Sequence, residues 1–291
     1  MKTNEINIRD PFVLPHNGRY YMVGTRAETC WTFADGFDGY VSEDLEEWDG
    51  PFSLFDKAGD FTADMNYWAP EIHEYKGSFY LFATFGHSDT SLKGTWILKS
   101  KTASPLGPYQ VHSDGQITPA EWNSLDGTFY LSKEGRPYMV FCHEWQDLKD
   151  GEICLVELKD DLKMSVGHVR TLFAASSAKP LIEPIRHERY PGDNYVTDGP
   201  FMYRLDDERL IMLWSSFSKE GYCVAVSRSG NGEIDGSWTC DKEPLFSKDG
   251  GHGMLFESFD KRLMLSLHKP NIHLEERPVF IDVTDRLTTK G

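Results

Sequence analysis

Three aspartates recur at one place in a repeated pattern: Asp10 in Arg9-Asp10-Pro11-Phe12, Asp126 in Leu125-Asp126-Gly127, and Asp198 in Thr197-Asp198-Gly199-Pro200. A fourth carboxylate, Glu144, sits in His143-Glu144-Trp145. Carboxylates gathered at one opening raise the pKa of at least one member. Such a group offers one residue that keeps a proton and one that accepts a proton, which is what general acid–base chemistry requires. Asp-Gly and Asp-Pro are also ordinary turn formers, so the weight rests on the recurrence and not on any single aspartate.

The elements that hold these residues read as strands. Few segments carry helical periodicity, and short aromatic and β-branched runs broken by Gly and Asp turns dominate. Five copies of one unit begin near residues 10, 69, 126, 198 and 252. Each has a small or polar residue followed by Pro or Gly, an apolar run, a turn, and a second apolar run. A third strand such as Thr95-Trp96-Ile97-Leu98 follows, then a fourth that contains Trp48, Tyr109 or Trp238. Four strands in each of five units predict an all-β chain, a five-bladed β-propeller formed as a single domain over 1–291.

In that fold the first strand of each blade lines the channel, which brings Asp10, Ala69, Asp126, Asp198 and His252 to one mouth. The second strands end on the same face with Arg26, His87, the His143-Glu144-Trp145 run, Ser215-Ser216 and His268. Trp68 and Trp145 are placed to act as platforms for a sugar ring. Loops 27–38, 59–68 and 183–197 supply the walls.

Composition narrows the partners. Lys and Arg number 30 against 46 Asp and Glu, a net charge of −16. That excess disfavours nucleic acid, whose binding needs a basic face, and anionic membrane surfaces. No apolar run is long enough to span a bilayer. Aromatic content of 13% suits strands and a neutral ligand. Five cysteines with no metal or disulfide spacing are expected as free thiols. Met1 to Arg9 lacks an apolar signal core, so a cytoplasmic location is expected if Met1 is the native start.

Taken in order, Arg9-Asp10-Pro11-Phe12, Trp68-Ala69-Pro70-Glu71, Leu125-Asp126-Gly127, Thr197-Asp198-Gly199-Pro200 and Gly251-His252-Gly253 resemble the motifs of family 43 glycoside hydrolases across the whole chain. The resemblance implies an inverting mechanism with Asp10 as general base, Asp126 as the carboxylate that tunes and orients the acid, and Asp198 as general acid. The family usually has Glu before Gly-Pro. Aspartate is one methylene shorter, which leaves Glu144 as a rival acid. Trp68, Glu71, His143, Trp145, Arg26 and His87 are expected at the substrate.

His252 is expected to face water or a channel ion such as calcium held through waters; no cofactor is required. The substrate class implied is an oligosaccharide carrying arabinofuranosyl residues. β-Xylosidase, galactofuranosidase and galactanase activities are alternatives within the fold, and a non-catalytic sugar-binding propeller is the alternative of another class. Oligomeric state is left open.

Overall fold

The computed structural model describes residues 1–288. Five antiparallel sheets follow one another along the chain. Blade 1 holds β1 (Ile8–His16), β2 (Arg19–Arg26), β3 (Gly36–Ser42) and β4 (Trp48–Asp56). Blade 2 holds β5 (Met65–Tyr75), β6 (Ser78–Gly86), β7 (Lys93–Ser100) and β8 (Tyr109–Val111). Blade 3 holds β9 (Ser124–Leu131), β10 (Pro137–His143), β11 (Glu152–Leu158) and β12 (Ser165–Ala174). A hairpin of β13 (Ile185–His187) and β14 (Tyr190–Asn194) precedes blade 4. That blade holds β15 (Asp198–Arg204), β16 (Leu210–Ser218), β17 (Gly221–Ser229) and β18 (Trp238–Cys240). Blade 5 departs from the expected four strands and has three: β19 (Gly251–Glu257), β20 (Leu263–Lys269) and β21 (Arg277–Asp282).

The innermost strands touch in a ring: β1 meets β5, β5 meets β9, β9 meets β15, β15 meets β19, and β19 meets β1. Aromatic side chains fill the wedges between blades. Phe37 of β3 meets Phe85 of β6 edge to face at 5.6 Å, Tyr75 meets Phe129 at 5.3 Å, and Phe173 meets Trp214 at 5.5 Å. Flat rings of this kind bury much area each and interlock between splayed sheets.

Every innermost strand is broken by a bulge at the same level. The pairing of β1 with β2 shifts between Arg9 and Phe12, that of β5 with β6 between Trp68 and Glu71, and that of β15 with β16 between Asp198 and Phe201. One residue in each bulge has a left-handed backbone: Asp10 (φ 55°), Ala69 (44°), Asp126 (58°), Gly199 (49°) and His252 (54°). A bulge inserts one residue, bends the strand and re-aims its side chain.

This corrects one alignment. The fourth member of the ring is Gly199, and Asp198 lies one residue before it, level with Arg9, Trp68 and Leu125. Glycine is required at 199, because a Cβ there would come within 2.8 Å of the His252 ring.

The N-terminal segment closes the ring between blades 1 and 5. The Met1 amine donates to the Trp48 carbonyl at 2.8 Å, and Arg277 of β21 donates to the Asn4 carbonyl at 3.0 Å. Beneath them Arg9 pairs with the fully buried Glu276 at 2.6 Å. The five cysteines are all free.

Candidate active site

The bulges open a cavity of about 500 Å³ at one mouth of the channel, and Asp10, Asp126, Glu144, Asp198 and His252 all line it. Trp31 reaches it from loop 27–38, Trp68 from the start of β5, and Ile185 and His187 from the β13–β14 hairpin. Trp145 forms part of the same wall and packs edge-on against Tyr190 at 5.2 Å.

The carboxylates have contrasting surroundings. Asp10 is buried and accepts from the Thr25 hydroxyl at 2.6 Å, with His252 Nδ1 3.2 Å from its other oxygen. The Asp10 amide donates to His268 Nδ1 at 3.1 Å, which makes His268 an acceptor on that nitrogen. Burial acts to raise the Asp10 carboxyl. The His252 ring and the Arg9 guanidinium act against it, and hold Asp10 well below the usual carboxylate range. Burial also keeps His252 below the usual imidazole range.

Asp198 lies half-buried at the cavity wall, where it accepts from Tyr222 Oη at 3.0 Å. Burial and the charge of Glu144 push its carboxyl up to about 7, against the Tyr222 hydrogen bond. Asp126 is buried, and burial together with Asp198 and Asp10 raises it well above the ordinary value. The Gly199 amide opposes that rise by donating to Asp126 Oδ2 at 2.9 Å.

Glu144 is paired with the buried Lys93 ammonium at 3.2 Å, and Lys93 in turn sits 5.6 Å from the centre of the Trp68 ring. Burial raises Glu144 as well, with Lys93 opposing. A carboxylate held by an ammonium is a poor proton donor, whereas among the described residues Asp198 has no cation within ion-pair distance.

Four residues expected at the substrate lie elsewhere. Arg26 follows Thr25 and so faces the other side of its strand, where it grips Asp38 at 2.8 and 2.7 Å and Asp35 at 2.8 Å. His143 is turned away from Cys142 by the same alternation; it stacks on Trp122 at 3.9 Å and meets Asp147 at 3.2 Å. His87 belongs to the turn between β6 and β7, its backbone bonded to Leu92 and Ser91. Glu71 lies past the bulge, deeper in the channel, and is bonded to His73 at 2.7 Å.

His252 lines both this cavity and a small space beneath it. Its Nδ1 faces Asp10, and the small space beneath it, lined by Glu71, Phe12 and Phe201 among others, holds about 10 Å³, no more than a single water. Among the described residues no group of three His, Cys, Asp or Glu side chains is placed to hold a metal.

Lys93, Tyr222 and Trp31 went unrecognised in the sequence. Tyr222 stands in the third strand of blade 4 and Lys93 at the start of the third strand of blade 2, positions that the repeat assigns to blade interior.

The sequence model described as Glycosyl hydrolases family 43 matches residues 4–284. The chain is similar to the solved structure of an endo-arabinase from Bacteroides thetaiotaomicron, with a TM-score of 0.88 and 39% identity over 97% of this chain and 96% of that one. An extracellular exo-α-(1→5)-L-arabinofuranosidase of Cellvibrio japonicus is 24% identical over 269 residues, which span 87% of this chain and 72% of that relative. The structure of an α-L-arabinofuranosidase from Lactobacillus brevis shares the fold at 17% identity, with a TM-score of 0.72 over 95% of this chain and 90% of that one.

Proposed function

The chain belongs to family 43 of the glycosyl hydrolases, and from that premise we propose that it cleaves α-(1→5)-linked L-arabinofuranosyl oligosaccharides with inversion at the anomeric carbon. The observation that carries this reading is the split between two carboxyls of one cavity: Asp10 is held ionised and Asp198 is held protonated up to about pH 7. Carboxyl groups pushed apart in this way take the roles of base and acid. The likeness to the endo-arabinase supports the choice of sugar.

In the proposed step Asp198 gives its proton to the glycosidic oxygen as the bond to the anomeric carbon breaks. Asp10 takes a proton from the water that attacks the opposite face. The step ends with Asp198 ionised and Asp10 protonated, and exchange with solvent restores both. Asp126, bonded to the amide that follows Asp198, keeps the acid in place. Glu144, ion-paired with Lys93, supplies the negative charge that favours the protonated form of Asp198, and does not donate.

Three variants test the assignment on nitrophenyl arabinofuranosides and on α-(1→5)-arabinotriose. Asp10→Asn is expected to lose about 10²–10⁴-fold in kcat on both. Asp198→Asn should lose most on the trisaccharide, whose leaving group needs a proton, and least on the nitrophenyl substrate. Glu144→Gln leaves the Lys93 charge unbalanced near Asp198, so the fall in kcat/KM on the alkaline side should move to lower pH. If Glu144→Gln instead shows the leaving-group dependence and Asp198→Asn does not, the acid is misassigned. Faster cleavage of nitrophenyl β-D-xyloside than of arabinofuranoside would overturn the choice of sugar.

A further inference from the structure

Four of the five joints between blades are built alike. The bulged residue of one blade donates its amide to a side chain at a fixed level on the second strand of the blade before it. Ala69 donates to Thr25 Oγ1 at 2.7 Å, Asp126 to Thr84 Oγ1 at 2.8 Å, His252 to Ser215 Oγ at 2.8 Å, and Asp10 to His268 Nδ1 at 3.1 Å. At the joint between blades 3 and 4 that level is occupied by Cys142, fully buried and paired across the sheet with Leu125. There Gly199 donates directly to Asp126 Oδ2.

Blade 1 shows what a hydroxyl does at this level. Thr25 accepts the Ala69 amide and donates to Asp10 Oδ2, so it stands between the carboxylate and the next blade. A thiol is a weak acceptor, and in blade 3 the carboxylate meets the amide with nothing between them.

We propose that Cys142 is a positioning residue for hydrolysis: by withholding a hydroxyl from the third joint, it delivers the Gly199 amide to Asp126 and fixes the Asp198–Gly199 peptide against that carboxylate. The inference rests on the roles given above to Asp126 and Asp198. A hydroxyl at position 142 would take the amide, as Thr25 takes that of Ala69. Asp126 would then be held away from the peptide of the acid and, without the amide that opposes its rise, would hold a proton more firmly, so that Asp198 beside it gives up its own at lower pH.

Crystal structures and pH profiles of Cys142→Ser and Cys142→Ala test this. In the serine variant the introduced hydroxyl is expected to accept the Gly199 amide, and the alkaline limb of kcat/KM should move to lower pH. Its kcat/KM on α-(1→5)-arabinotriose should be about tenfold below that of the alanine variant, the worth of one hydrogen bond to a charged group. The alanine variant should keep the amide on Asp126 and the wild-type position of the limb. A serine variant in which Gly199 still donates to Asp126, or serine and alanine variants sharing one limb and one rate, would overturn the proposal. Should the wild type cleave no arabinofuranoside, the proposed function fails, and the crystallographic result alone decides the joint.

Discussion

Asp198 is kept protonated by surroundings that penalise its charge, and that penalty acts on stability as well as on activity. Its carboxyl is raised from 3.8 to about 7 in the folded chain. Between those values the folded state holds a proton that the unfolded state has released, so stability declines as pH rises through the window. Asp198→Asn removes the penalty. It is expected to raise Tm by several degrees at pH 8 and to leave it nearly unchanged at pH 4 or below, as thermal unfolding at the two pH values would read. Wild-type kcat/KM should fall as pH rises through about 7 and should hold on the acid side, since Asp10 stays ionised below the usual carboxylate range. Equal falls on both sides of neutrality would contradict the roles given to the pair.

At the scale of the element, the bulge decides which residues reach the cavity. Each one needs a side-chain acceptor from the neighbouring blade for its amide, and removing that acceptor strands a buried N–H. Thr84→Val keeps the shape of the side chain and removes the acceptor for Asp126. It is expected to cost about 1–3 kcal/mol in urea unfolding. The repeat in the sequence was enough to give the five blades, the inward strands and the meeting of Asp10, Asp126, Glu144, Asp198 and His252. The bulges were hidden in it, because the innermost strands are buried on both faces at that level and have no hydrophobic alternation for an extra residue to interrupt. Aligning Asp198 with Asp10 by residue type therefore missed the register that Pro11-Phe12 and Pro200-Phe201 share. Arg26 and His143 were assigned to the mouth by the same neglect of alternation next to Thr25 and Cys142. Lys93 and Tyr222 stand on third strands and approach the site from behind, a relation that only packing between blades creates.

For the whole molecule, the open question in any propeller is how the last blade meets the first. Here a three-stranded fifth blade is joined to blade 1 by the N-terminal segment and by the buried Arg9–Glu276 pair. Arg9 also lines the cavity beside Asp10, so ring closure and site share a residue. Glu276→Gln strips the partner from a buried guanidinium and is expected to destabilise the fold by about 3 kcal/mol. Calorimetry would detect this as a lower Tm, and an unchanged Tm would show that ring closure does not depend on the Arg9–Glu276 pair. The central claim is that one ring of blades holds a base and an acid on opposite sides of a single glycosidic bond. The most direct test is ¹H NMR of the first sugar released from an α-(1→5)-linked arabinofuranosyl oligosaccharide, recorded before mutarotation. Initial appearance of the β-anomer is predicted, and initial appearance of the α-anomer would contradict the account.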